Sequence, residues 1–155
     1  MYRWTLFLTV ALMGLVACAP SGSPGPKIKI ENAWARPAAA STTSHSGMPG
    51  SETTGAAYFS VINEGNEEDA IVGVTVEVAP RAEVHETSMQ GNVAKMMPAP
   101  RVPVPARGRV EFKPMGLHVM MIGLTRDLKT GDTFNLTLQL EKSGKVNALV
   151  SVREQ

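Results

Sequence analysis

Apolar and β-branched residues recur along this chain in short runs, many alternating with polar positions and separated by glycine, proline or asparagine. Lys27 to Trp34 alternates through Ile28 and Ile30 and predicts a first strand, with Trp34 read as a large core anchor. Further strands are predicted at Ala56 to Ile62, Ala70 to Val78, Ala82 to Thr87, Val93 to Met97, Arg109 to Lys113, Leu117 to Leu124, Thr133 to Glu141 and Val146 to Val152. Gly65, Gly91, Gly108, Gly131 and Gly144 punctuate these runs. No segment carries a convincing helical period, so the expected fold is all-β, an antiparallel β-sandwich. Pro98 to Pro105 reads as an extended crossing between sheets, because proline supplies no ladder donor to a central strand.

The two stretches outside this pattern set the organisation. Residues 1–17 carry one basic residue, Arg3, and an apolar run from Leu6 to Val16, which is the form of an export signal rather than of a spanning helix. They close on Leu15-Val16-Ala17-Cys18, which resembles a lipobox, so Cys18 is expected to become a lipidated N-terminus. Residues 18–26 are then a flexible tether, and 27–155 one domain, interrupted by a small, polar, mobile loop at about 38–54. The expected product is an exported lipoprotein, held at a membrane and facing the periplasm or another extracytoplasmic space.

Cys18 is the only cysteine, so a lipidated Cys18 leaves the domain without a thiol. That excludes an internal disulfide, a blue-copper thiolate centre and dithiol redox chemistry. Without Arg3, the fourteen remaining basic residues balance fourteen acidic ones, and this balance argues against nucleic acid as a partner.

One window changes the picture. Six of nine methionines and two of three histidines fall between His85 and Met121. Thioether sulfur and imidazole nitrogen suit Cu(I), whereas oxygen donors suit harder ions. His85, Met96, His118 and Met120 form the candidate ligand set. A turn centred on Gln90-Gly91 would set His85 opposite Met96, close enough for both to reach one ion. His118 and Met120, one residue apart, share a strand face. Met97, Met115 and Met121 are read as packing residues, while Met89 shares the parity of His85 and is placed to cover the site. His45 and Met48 lie in the polar loop. The plainer reading of that pair is a solvated linker, and the functional one an accessory metal site that captures Cu(II) or passes copper inward.

The spacing is His, ten residues, Met, twenty-one residues, then His-x-Met. With the flanks Val84-His85-Glu86, Val93-Ala94-Lys95-Met96-Met97-Pro98 and Gly116 to Leu124, it resembles the PCuAC family of periplasmic copper chaperones from about Lys27 onward. The resemblance implies a cupredoxin-like or immunoglobulin-like sandwich and a Cu(I) chaperone. Its implied recipient is the copper centre of cytochrome c oxidase subunit II, served alongside Sco-like proteins. An enzyme is not expected, since neither His-Glu-x-x-His nor Gly-x-Ser-x-Gly occurs. Two alternatives remain: a copper-buffering or resistance lipoprotein using the same site as a sink, and a metal-free lipoprotein presenting a methionine-lined patch to a protein partner.

Overall fold

The structure is a computed structural model that describes residues 25–40, 53–91 and 93–154. Among them are ten strands and no helix: β1 (Ile28–Ala35), β2 (Thr54–Asn63), β3 (Asp69–Val76), β4 (Arg81–Gln90), β5 (Val93–Pro98), β6 (Val102–Val104), β7 (Arg109–Phe112), β8 (Leu117–Ile122), β9 (Thr133–Leu140) and β10 (Lys145–Val152). They follow one hydrogen-bonded order, β5-β4-β8-β7-β2-β1-β10-β9-β3-β6, folded over on a single core. β2 forms the corner. Its first half, Thr54 to Ala57, pairs with β8, its second half, Phe59 to Ile62, with β7, and its other edge with β1.

Alternation decides which side chains enter the core. Phe134, Leu136, Leu138 and Leu140 of β9 are buried, and Ala57, Phe59 and Val61 of β2 meet them from across the molecule. Phe59 stacks on Phe112 with ring centroids 4.3 Å apart. From β8 the core receives Val119 and Met121, both fully buried, and from β4 it receives Val84. His118 and Met120 therefore project from the opposite face of β8, as His85 does from β4.

The all-β expectation holds, with one correction to its antiparallel character: β1 and β10 run parallel, Trp34 opposite Ser151 and Ala35 opposite Val152. β7 and β8 also meet in parallel at Phe112 and Leu117. Only neighbours joined by a tight turn are obliged to run antiparallel, and β1 and β10 come from opposite ends of the chain.

Trp34 is the second correction. It is half-buried on the outer face, 4.7 Å from the Tyr58 ring with the Arg153 guanidinium 5.1 Å from its own, while its neighbour Ala35 enters the core. The cause is a register shift in β1 between Glu31 and Trp34, where Asn32 adopts φ 54°. One irregular residue exchanges the two faces of the strand downstream of it.

Most of the expected polar loop, residues 41–52, lies outside the described residues, and the residues at its two ends are bonded to the domain. Ala38 exchanges two backbone hydrogen bonds with Leu128, Ala40 N–H donates to Asp127, and the Thr53 carbonyl accepts from Gly123. Pro98 ends β5, and the rest of the segment to Pro105 runs to the other edge of the sheet as the short strand β6, with Pro103 opposite Ala70 of β3.

Candidate metal centre

β5, β4 and β8 are consecutive in the sheet, and their outer face carries all four of the residues singled out by spacing. His85 lies directly opposite His118, with ring centroids 6.1 Å apart. Met120 lies opposite Glu83, one same-face step from His118. Met96 lies opposite Thr87, one same-face step from His85.

The pairing expected between His85 and Met96 is corrected here: His85 is opposite Pro98, and Met89 is opposite Ala94. Gln90 pairs with Val93, so the hairpin loop begins at Gly91, which takes φ 63°. A two-residue hairpin loop wants positive φ at its first central position, where glycine is least strained, and this moves the turn one residue along the chain. The register changes by two, so parity survives and Met96 stays on the face of His85, as a diagonal rather than a direct neighbour.

Hydrogen bonding assigns the donor atoms. His118 Nδ1 lies 3.0 Å from the Gly116 carbonyl, which can only accept, so Nδ1 carries the proton and Nε2 keeps the lone pair. The same carbonyl accepts the Thr87 backbone N–H at 3.1 Å, tying the turn before β8 to β4. His85 is arranged the other way round. Its Nε2 lies 2.9 Å from Glu83 Oε2, while its Nδ1 is buried without a hydrogen-bond partner among the described residues. A buried lone-pair nitrogen with no donor is costly in a protein interior unless a cation takes that place.

Burial grades across the site. His118 is 6% exposed and Met120 is half-buried, whereas Met96 is 51% exposed on the outermost strand. Met96, His118 and Met120 line one cavity of about 260 Å³, whose other wall includes Arg36, Ala56 and Tyr58. The Arg36 guanidinium lies 5.7 Å from the Tyr58 ring centroid. Among the described residues no group of three or more His, Cys, Asp or Glu is placed to hold a metal. The donors that this face does offer are two imidazoles and two thioethers, and that combination suits a soft cation.

The other methionines divide by position. Met121 is fully buried in the core, as packing predicts. A Cβ on Gly55, its partner on β2, would lie 2.8 Å from the Met121 Cε, which explains a glycine at that place. Met97 and Met115 are not core fillers: they are 49% and 63% exposed, because the β4–β5 hairpin and the turn before β8 reach beyond the core. Met89 shares the face of His85 but is exposed near the hairpin tip, two same-face steps away. Cys18, His45 and Met48 lie outside the described residues. Sequence reading missed Glu83, although it stands two residues before His85 and so on the same strand face.

Residues 28–152 match the LpqE-like family of candidate lipoproteins. Lxx21020 of Leifsonia xyli subsp. xyli, itself named as a candidate lipoprotein, is 26% identical over 152 residues, covering 92% of this chain and 84% of that protein. The copper-bound PCuAC domain from PmoF2 superposes with a TM-score of 0.62 at 23% identity, over 86% of this chain and 97% of that domain. The Cu(I) form of DR1885 from Deinococcus radiodurans superposes with a TM-score of 0.58 at 26% identity, over 88% and 83% of the two chains. The family match runs from the first residue of β1 to the last of β10, and the chain therefore belongs to the LpqE-like family, with the fold of a PCuAC domain.

Proposed function

We propose that this protein is an exported, membrane-tethered Cu(I) chaperone that holds the ion with His85, Met96, His118 and Met120 and yields it to a protein partner. The observation that carries the reading is the cross-strand pair His85 and His118, with the His85 Nδ1 buried and unpartnered among the described residues and two thioethers on the same face. The likeness to the Cu(I) form of DR1885 supports the choice of ion. Thioethers are weak, neutral ligands that exchange readily, so the arrangement suits holding and release. Met96 stands at the exposed edge, where an incoming ligand would meet it first.

The recipient belongs to the same proposal. PCuAC resemblance points to the copper centre of cytochrome c oxidase subunit II, with Sco-like proteins as companions, and a lipid on Cys18 would keep the carrier near such membrane proteins. A purely protein-binding role has one observation in its favour: the β4–β5 hairpin exposes apolar side chains on both faces, Met89 and Met96 on one and Val93 and Met97 on the other.

An anaerobic Cu(I) competition titration of the chain from Ala19 onward, run beside a His85→Ala/His118→Ala variant, separates these readings. One ion bound per chain, lost in the double variant, is the result expected of a chaperone. A natural chain that fails to compete for Cu(I) would leave the protein-binding role in its place. A chain that binds tightly but passes no copper to an oxidase subunit II fragment would be a buffer.

A further inference from the structure

We infer that Glu83 is the positioning residue of this centre: its carboxylate fixes the His85 tautomer, so that the ion is held by Nδ1 of His85 and Nε2 of His118. The inference rests on the proposed Cu(I) site and adds to it a residue outside the ligand set, together with the identity of the two nitrogen donors.

The argument is one of proton placement. A neutral imidazole has one N–H and one lone pair. Glu83 Oε2, 2.9 Å from His85 Nε2, accepts a hydrogen and so keeps the proton on that nitrogen. The lone pair is then confined to Nδ1, the buried atom that has no hydrogen-bond partner among the described residues. At His118 the acceptor is the Gly116 carbonyl on Nδ1, which leaves Nε2 free to bind. Different neighbours thus leave different nitrogens of the two rings without a proton, on residues that lie opposite each other on one ladder rung. A carboxylate behind a ligating imidazole also holds its plane.

Charge balance gives an independent reason. Two imidazoles and two thioethers are neutral, so Cu(I) would bring an uncompensated positive charge to a partly buried face that Arg36 also lines. Glu83 stands opposite Met120 on that face and supplies the opposing charge.

The test is ¹⁵N NMR of the imidazole rings in the full-length chain in detergent, without copper and then with one equivalent of Cu(I) added anaerobically, in the natural chain and in Glu83→Ala and Glu83→Gln. Without copper, His85 should carry its proton on Nε2 and His118 on Nδ1. On adding Cu(I), the His85 Nδ1 and His118 Nε2 signals should move. Glu83→Ala should give mixed His85 tautomers and a fall in Cu(I) affinity of about 10- to 100-fold. Glu83→Gln, whose amide oxygen still accepts, should keep the tautomer and lose a smaller part of the affinity. Movement of His85 Nε2 with copper, or unchanged affinity in a folded Glu83→Ala, would overturn the inference and leave the site standing. If the natural chain binds no Cu(I), the chaperone reading falls as well, and the copper-free tautomers still report whether Glu83 holds the ring.

Discussion

His85 and His118 occupy one rung of the β4–β8 ladder, yet they are anchored unequally: His118 is 6% exposed and bonded to backbone, His85 is bonded to an exposed carboxylate. Replacing either by Ala should reduce Cu(I) affinity at least tenfold, about 1.4 kcal/mol or more. Their effects on the fold should differ. His118→Ala removes a buried side chain and its hydrogen bond and should cost about 1–2 kcal/mol of stability, whereas His85→Ala should cost under about 1 kcal/mol. Paired copper titration and thermal melting of the two variants check this, and equal melting temperatures would contradict the difference in anchoring.

Met96 and Met97 are adjacent, similarly exposed, and on opposite faces of β5. Met96→Ala should weaken Cu(I) binding about tenfold with little change in melting temperature, and Met97→Ala should leave the affinity as it was. Equal losses in both would mean that strand parity does not select the sulfur ligand.

Met121→Ala should behave in the reverse way. The side chain is fully buried, so truncation leaves a cavity and should cost about 2–5 kcal/mol of unfolding free energy. Copper affinity measured well below the lowered melting temperature should stay close to that of the natural chain, because Met121 points away from the site.

Asp69 predicts an acid limit to stability. It is 2% exposed; burial opposes its ionisation, but the backbone N–H groups of Lys142, Ser143 and Ala70 at 2.7–2.9 Å outweigh burial and hold its carboxyl below the usual value of 3.8. Because the folded value is depressed, the contribution is complete above the unfolded value, near pH 4, and disappears as pH falls through the folded one. Urea midpoints measured between pH 6 and pH 2 should fall at the acid end, and Asp69→Ala should remove about 2 kcal/mol at pH 6 and flatten that dependence.

Cys18→Ala should abolish lipid attachment and move the exported protein from the membrane fraction to the soluble one, without altering Cu(I) affinity. Metabolic labelling with a radioactive fatty acid followed by fractionation tests this; label retained in the variant would place the lipid elsewhere or remove the anchor from the account.

The sequence by itself determined the all-β class, the order of every strand but β6, and the parity of His85, Met89, Met96, His118 and Met120, because side chains alternate with period two along a strand whatever its partner is. Parity is why His85, Met96, His118 and Met120 share a face even though the expected hairpin register was two residues off. Which residues oppose one another depended on where the turn closed, and that was decided by Gly91 taking the positive φ at the first loop position. The irregularity at Asn32 likewise turned Trp34 out of the core, and no alternation count can register an extra residue in a strand. The meeting of β4 with β8, the parallel pairing of β1 with β10, and the wall that Arg36 and Tyr58 set beside His118 join segments far apart along the chain. Those contacts follow from how the two faces of the sheet close over one core, so only the tertiary structure could bring the second histidine to the first.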